Sequence, residues 1–115
     1  KLYFQNGPFK VRVPARLETR LKPYEGQEVI FGIRAENIYD KLFATEASPD
    51  NTVRAICEVI EPMGAEAYLY LRSVPNTFVA RVSGHVQPSV NQDLDLVVDM
   101  GKAHFFDKTT EESIV

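Results

Sequence analysis

Short runs in which apolar and polar residues alternate, broken by clusters of Gly, Pro, Asn and Asp, recur along most of this chain. A period of two puts successive side chains on opposite faces of an extended backbone, so each run predicts a strand with one buried face. Leu2 and Phe4 alternate with Tyr3 and Gln5, and Asn6-Gly7 then supplies residues that tolerate positive φ. Phe9, Val11 and Val13 follow, with Lys10 and Arg12 on the other face. Leu2-Tyr3-Phe4-Gln5 matches part of a tag-protease recognition sequence, but Lys1 and Asn6 do not complete it. Because the alternation continues across the turn, a native hairpin is the expected reading.

Pro14 lacks the amide a ladder requires and ends the second strand. Residues 16–22 are expected as a turn or a short helix, and Pro23, Glu25 and Gly26 mark a surface turn. Val29, Phe31 and Ile33 then point one way, with Ile30, Gly32 and Arg34 opposite; Gly32 admits close approach of another backbone or a large ring. Residues 35–39 turn the chain, 41–46 are expected as a short strand, and Ser48-Pro49-Asp50-Asn51 is a strong turn signal.

The central pair is the clearest element. Over residues 52–61, Val53, Ala55, Cys57 and Val59 share one face, while Ile56 and Ile60 lie opposite. Pro62-Met63-Gly64 breaks the run, and residues 65–72 resume it with Leu69 and Leu71 against Tyr68 and Tyr70. Strands around 77–83, 94–98 and 104–106 follow. Such a set predicts an all-β domain, a small closed or partly closed barrel of short antiparallel strands. Its expected interior includes Val29, Phe31, Ile33, Val59, Leu69 and Leu71. Residues 1–115 read as a single domain, without an internal repeat, and the acidic 108–115 segment is expected as a flexible tail. A start on a strand without an initiator methionine suggests a piece of something longer.

The side chains offer little for catalysis. His85 and His104 are almost twenty residues apart, and with Cys57 they match no compact metal-ligand motif. Cys57 has no partner for an internal disulfide and sits among apolar residues, which predicts a buried, inert thiol in a reducing setting. Asp40, Asp50, Asp93, Asp95, Asp99 and Asp107 are read as solvating loops and exposed strand positions. No glycine-rich loop ending in Lys-Ser or Lys-Thr is present, so nucleotide binding has no local support. Tyr68, Tyr70 and Phe78 could form a base-stacking platform, but only Arg72 and Arg81 accompany them, so packing is the expected role. Thirteen basic and sixteen acidic side chains leave a net charge of -3, which gives no electrostatic reason to expect nucleic acid. No run approaches the ~18 apolar residues that a spanning helix needs.

Three motifs, taken together, resemble the C-terminal regulatory region of the sugar-importer ATPase subunits of ABC transporters, the family that includes the maltose transporter's ATPase. They are Gly32-Ile33-Arg34-Ala35-Glu36-Asn37, Ile60-Glu61-Pro62-Met63-Gly64-Ala65-Glu66 and His104-Phe105-Phe106-Asp107, with Val79-Ala80-Arg81-Val82-Ser83-Gly84 as the intervening strand and turn. The family pattern is similar to Gly-Ile-Arg-Pro-Glu-His, Val-Glu-Pro-Leu-Gly-Ala-Glu and His-Leu-Phe-Asp. Ala35 replaces its proline, while Asn91 and Glu111 stand where glycine is common.

The resemblance implies an OB-like barrel, a transport-associated OB (TOBE) domain following a nucleotide-binding domain. It implies no catalytic, cofactor or metal residues here; ATP and Mg belong to the parent's missing domain. The residues it marks are Gly32, Ile33, Arg34, Glu36, Glu61, Pro62, Gly64, Glu66, Gly84, His104, Phe106 and Asp107. Implied partners are a second ATPase subunit, through regulatory-domain pairing, and the membrane-spanning permease subunits contacted by the parent. The implied location is the cytoplasmic face of the cell membrane. An independent OB-fold module for a small ligand or oligonucleotide is the alternative, because OB barrels host both uses.

Overall fold

The computed structural model describes residues 1–41, 47–84 and 88–115. Strands β1 (Tyr3–Asn6) and β2 (Phe9–Arg12) form the first hairpin, and α1 (Ala15–Leu21) follows directly after Pro14. Its Leu17 and Leu21, one turn apart, are both buried. The remaining strands are β3 (Val29–Gly32), β4 (Ile38–Asp40), β5 (Thr52–Met63), β6 (Glu66–Ser73), β7 (Asn76–Ser83), β8 (Asp93–Val98) and β9 (His104–Asp107). Five of them pair antiparallel in the order β4-β8-β5-β6-β7, and β4 comes back against β7 to make a nearly closed barrel. The domain is thus predominantly β and OB-like, as the alternation predicts.

The barrel interior is set by the inward positions of β5, β6 and β8. Val53, Ala55, Cys57, Leu69, Leu71, Leu94 and Leu96 are all buried there. Outside the barrel, β3 pairs with β9, and β1-β2 lies over them through phenylalanines. Phe4 stacks on Phe31 at 4.9 Å between centroids, Phe31 meets Phe105 at 5.4 Å, and Phe9 meets Phe78 edge-on at 5.6 Å. The N-terminal hairpin is therefore integral to the core, and Phe78 packs inward rather than offering a ring to solvent.

Among the described residues, ion pairs decorate the surface at Arg54–Asp95, Arg72–Glu58, Arg81–Glu66 and Lys108–Glu28. Such pairs contribute about 0–1 kcal/mol each, whereas burying one Leu or Phe contributes about 1.5–3 kcal/mol. Apolar burial therefore holds the fold, and the ion pairs trim its registers.

Three expectations are corrected. Val59, expected inside, is 52% exposed. The β5-β6 register steps from Cys57↔Leu71 to Val59↔Tyr70, leaving Glu58 as an extra residue. Such a bulge exchanges the two faces of everything after it, so Ile60 packs on the core and Val59 faces out. Of the other interior expectations, Leu69 and Leu71 are fully buried, while Val29, Phe31 and Ile33 are partly buried against the core.

The second correction lies in residues 35–39. Residues 35–37 form a 3-10 turn, but Ile38–Asp40 then joins β8 as β4, because Ile38 is fully buried. Asp40, opposite Leu96 on that strand, is only 6% exposed rather than solvating a loop. Thirdly, the segment expected as a loose tail folds back along β9. The Asp107 amide donates to the Glu112 carbonyl at 2.9 Å, Ser113 bridges to Phe106, and the Ile114 amide donates to Phe105 at 2.8 Å. Ile114 and Val115 gain apolar cover there, which a free tail would lack. The strand expected at 41–46 lies outside the described residues beyond Lys41.

Met63↔Glu66 closes the β5-β6 hairpin around the two-residue loop Gly64-Ala65, and Gly64 sits at φ +73°. This is the loop position at which type II′ turns take glycine. A Cβ at Gly64 would meet no atom within 4 Å, so its replacement costs backbone energy alone. Gly64→Val should destabilise the domain by about 1–3 kcal/mol in urea unfolding. Ala65→Val, without a positive φ, should change it by less than about 0.5 kcal/mol. Equal effects of the two substitutions would contradict the left-handed conformation.

Candidate functional site

The residues marked by sequence gather in three places. At the tip of the β5-β6 hairpin stand Glu61, Pro62, Gly64 and Glu66, with Gly84 packed against the loop. The Gly84 amide donates to the Ala65 carbonyl at 2.7 Å. A Cβ on Gly84 would lie 3.0 Å from that carbonyl oxygen and 3.1 Å from the oxygen of Gly64, so any other residue there would have to push the loop backbone back by a few tenths of an ångström. Pro62 faces Ala67, one pair in from the hairpin's closing pair, where the backbone groups point away from the partner strand. β5 pairs only with β6 here, so the missing amide of proline costs no ladder bond.

Behind the tip, the outer face of β5-β6-β7 is organised in cross-strand rows. Glu61, Tyr68 and Arg81 form one row, and Val59, Tyr70 and Val79 form the next. Arg81 binds Glu66 at 2.8 Å. The Glu66 charge foremost, then a hydrogen bond with Tyr68, and more weakly the Glu36 charge, hold its guanidinium even more firmly protonated than an ordinary arginine. Glu66 contacts this cation directly, and Glu36, from a separate motif, acts on it through its charge. The neighbouring row is apolar and open: Tyr70 is 37% exposed, and Met63, at the tip, is 55% exposed. The Tyr70 hydroxyl donates to Glu61 at 3.4 Å.

The third place is the β3-β9 sheet and the cleft beside it. Gly32 pairs with His104, and a Cβ on it would stand 3.1 Å from the Phe106 ring, which is the large ring its lack of side chain admits. Ile33 continues this packing. Beyond it, Arg34, Glu36 and His104 line an open cleft of about 460 Å³ together with Arg16, Asn37 and Lys102. Leu17, Ala103 and Val115 supply its apolar lining. Arg16 is fixed by donating from its guanidinium to the Gly101 carbonyl at 2.7 Å. Arg16 and Lys102 were not marked by sequence: Lys102 stands two residues before His104 but outside its motif, and tertiary packing brings Arg16, on α1, to both.

Asp107 ends β9 and shapes the return of the chain. Its carboxylate accepts the amides of Thr109 at 2.8 Å and Thr110 at 3.0 Å, and these bonds hold its pKa below the usual aspartate value. The Glu111 amide donates to the Asp107 carbonyl at 2.8 Å, with Glu111 at φ +61°. Asn91 is also left-handed, at φ +69°. Both residues that replace a common glycine therefore occupy glycine-favouring backbone.

No catalytic constellation is assembled by these groups. Among the described residues, no group of three or more His, Cys, Asp or Glu side chains could hold a metal ion, and His85 lies outside them. Cys57 is fully buried, and burial pushes its thiol pKa up. No helix of the described residues is long and apolar enough to cross a membrane.

No family model matches the chain. Known proteins do resemble it. It is 44% identical over 92 residues to the trehalose/maltose import ATP-binding protein of Thermococcus litoralis, covering 79% of this chain and 25% of that protein. It is 38% identical over 95 residues to the oligosaccharides import ATP-binding protein of Bacillus subtilis, covering 83% of this chain and 26% of the relative. A multiple sugar-binding transport ATP-binding protein of Streptococcus mutans is 38% identical over 93 residues, covering 81% and 25%. The chain spans about a quarter of the length of these relatives. It is thus a domain homologous to part of the ATP-binding subunits of sugar-import ABC transporters.

The left-handed Glu111 makes a specific prediction. Glu111→Gly should raise stability by about 0.5–1 kcal/mol, since relief of the strained φ exceeds the entropy that glycine adds to the unfolded chain. Thermal unfolding checks it; a lower midpoint would show that Glu111 does not hold a positive φ.

Proposed function

We propose that this chain is the C-terminal regulatory and dimerisation domain, of the transport-associated OB type, of the ATP-binding subunit of an ABC importer for sugars or related small solutes. The observation that carries this reading is the 44% identity over 92 residues to a trehalose/maltose import ATP-binding protein. The domain performs no chemistry of its own. ATP and Mg are handled by the nucleotide-binding domain of the parent, which hydrolyses ATP to drive solute through membrane-spanning permease subunits. The parent is peripheral, on the cytoplasmic face of the membrane, and works as a pair of ATPase subunits.

The barrel contributes to that pairing through its outer sheet face. The row Val59, Tyr70 and Val79, with Met63 at the tip, presents apolar surface between two polar rows. Glu58, Arg72, Glu66 and Arg81 flank it as internally neutralised ion pairs. With these two pairs balanced, Glu61 is the charge on this face that neither pair neutralises, so the face can meet its own copy across a two-fold axis with little like-charge repulsion. The same neutralisation makes the tyrosines poor partners for a polyanion, since the nearby arginines already hold carboxylates.

Sedimentation across a concentration series tests the reading. The parent should dimerise with ATP bound, and the 115-residue chain should associate only weakly, because detached contacts below about 1,000 Å² rarely give stable dimers. In the parent, Tyr70→Glu combined with Val59→Glu should weaken the dimer by at least about tenfold. A parent that remains monomeric with ATP would overturn the pairing role; a dimer indifferent to the double substitution would move it to another face.

A further inference from the structure

We infer that the cleft between α1, the 35–37 turn and the start of β9 is a binding site for a dianionic phosphate carried by a small polar molecule. The inference does not depend on the importer reading. Although the whole chain carries a net charge of -3, this concavity gathers, among the described residues, Arg16, Arg34, Lys102 and His104 against a single carboxylate side chain, Glu36. Basic side chains outnumber carboxylates in this lining, so its local charge balance is opposite in sign to that of the domain.

The donor set discriminates among anions. A carboxylate is satisfied by one guanidinium fork, whereas a phosphate dianion has three free oxygens and can draw on several basic side chains lining one cleft. Arg16 is already oriented by the Gly101 carbonyl, so part of the ordering cost is met before a ligand arrives. A nucleic-acid strand is disfavoured: among the described residues no Phe, Tyr or Trp lines the cleft for stacking, and the acidic domain around it repels a polyanion.

The cleft is also larger than one phosphate needs. Its volume of about 460 Å³ falls within the range of small-molecule sites. Asn37 and Glu36 offer acceptors for hydroxyl groups, and Leu17 supplies apolar surface. The chemical class that uses all of this is a polyhydroxylated phosphate monoester, such as a sugar phosphate.

The test is an NMR titration of the isotope-labelled chain at low salt with glucose 6-phosphate, inorganic phosphate and glucose in separate arms. Glucose 6-phosphate should produce saturable shifts confined to Arg34, Lys102, His104 and their neighbours, with Kd in the millimolar range or tighter, on the order of 1 mM. Arg34→Glu with Lys102→Glu should weaken binding at least about tenfold with the amide spectrum otherwise retained. Arg54→Glu, on a different face, should leave it unchanged. If inorganic phosphate binds as tightly as the ester, the site takes free phosphate, and the phosphate assignment stands. Saturable binding of glucose alone would overturn it. So would shifts spread over all basic residues, binding that survives the double charge reversal, or no saturation by about 10 mM ester.

Discussion

The structure depends on one change of partner halfway along β5. From Thr52 to Ile56 this strand pairs with β8. At Cys57 its amide donates to the Gln92 carbonyl at 2.9 Å, and its carbonyl accepts the Asn91 amide at 2.6 Å. Beyond that point β5 pairs with β6 alone. The extra residue, Glu58, falls at this junction, and the faces of the strand exchange there. One strand thereby serves two layers: its first half closes the barrel around Cys57 and Leu96, and its second half projects a hairpin. Asn91 takes its left-handed conformation where the turn before β8 meets Cys57, so a residue tolerant of positive φ is needed at that junction.

The exchange of faces separates what is buried from what is presented. Without it, Val59 would enter the core and Ile60 would face solvent. With it, Ile60 meets Leu69 inside, while Val59 meets Tyr70 outside and extends the open apolar row. Arg81 then ties this face to the 35–37 turn, through Glu66 on one side and the Glu36 charge on the other. The same turn forms a wall of the basic cleft. Two surfaces of different chemistry, one apolar and one cationic, are thus connected through a single short segment packed on β7.

How much of this was legible in the sequence follows from how local each cause is. The hairpins were legible, because alternation and the turn residues Asn6-Gly7 and Met63-Gly64 act within a few positions. Gly32 announced a close approach, and the ring proved to be that of Phe106. The left-handed positions at Asn91 and Glu111 were visible only as departures from the pattern of similar proteins. The bulge was not legible: Glu58 is polar on an otherwise regular alternation, so an unbroken period of two placed Val59 inside. β4 escaped because three residues carry too little periodicity, and with it the burial of Asp40. The cleft was half legible, since Arg34, Glu36 and His104 lie in motifs. Lys102 stands two residues before His104 but outside its motif, and Arg16 comes from a distant segment that no local pattern connects to them. The return of the tail along β9 depends on the Asp107 carboxylate receiving Thr109 and Thr110, an interaction hidden in a run that reads as simply polar and acidic.

The central claim is that β5 shifts register at Glu58 and so presents Val59 rather than burying it. Cross-strand nuclear Overhauser contacts in the labelled chain test this most directly. The account predicts contacts pairing Cys57 with Leu71 and Val59 with Tyr70, skipping Glu58, with the Ile60 methyl groups against Leu69 and the core. An unbroken ladder that pairs Glu58 with Tyr70 and Val59 with Leu69 would contradict it.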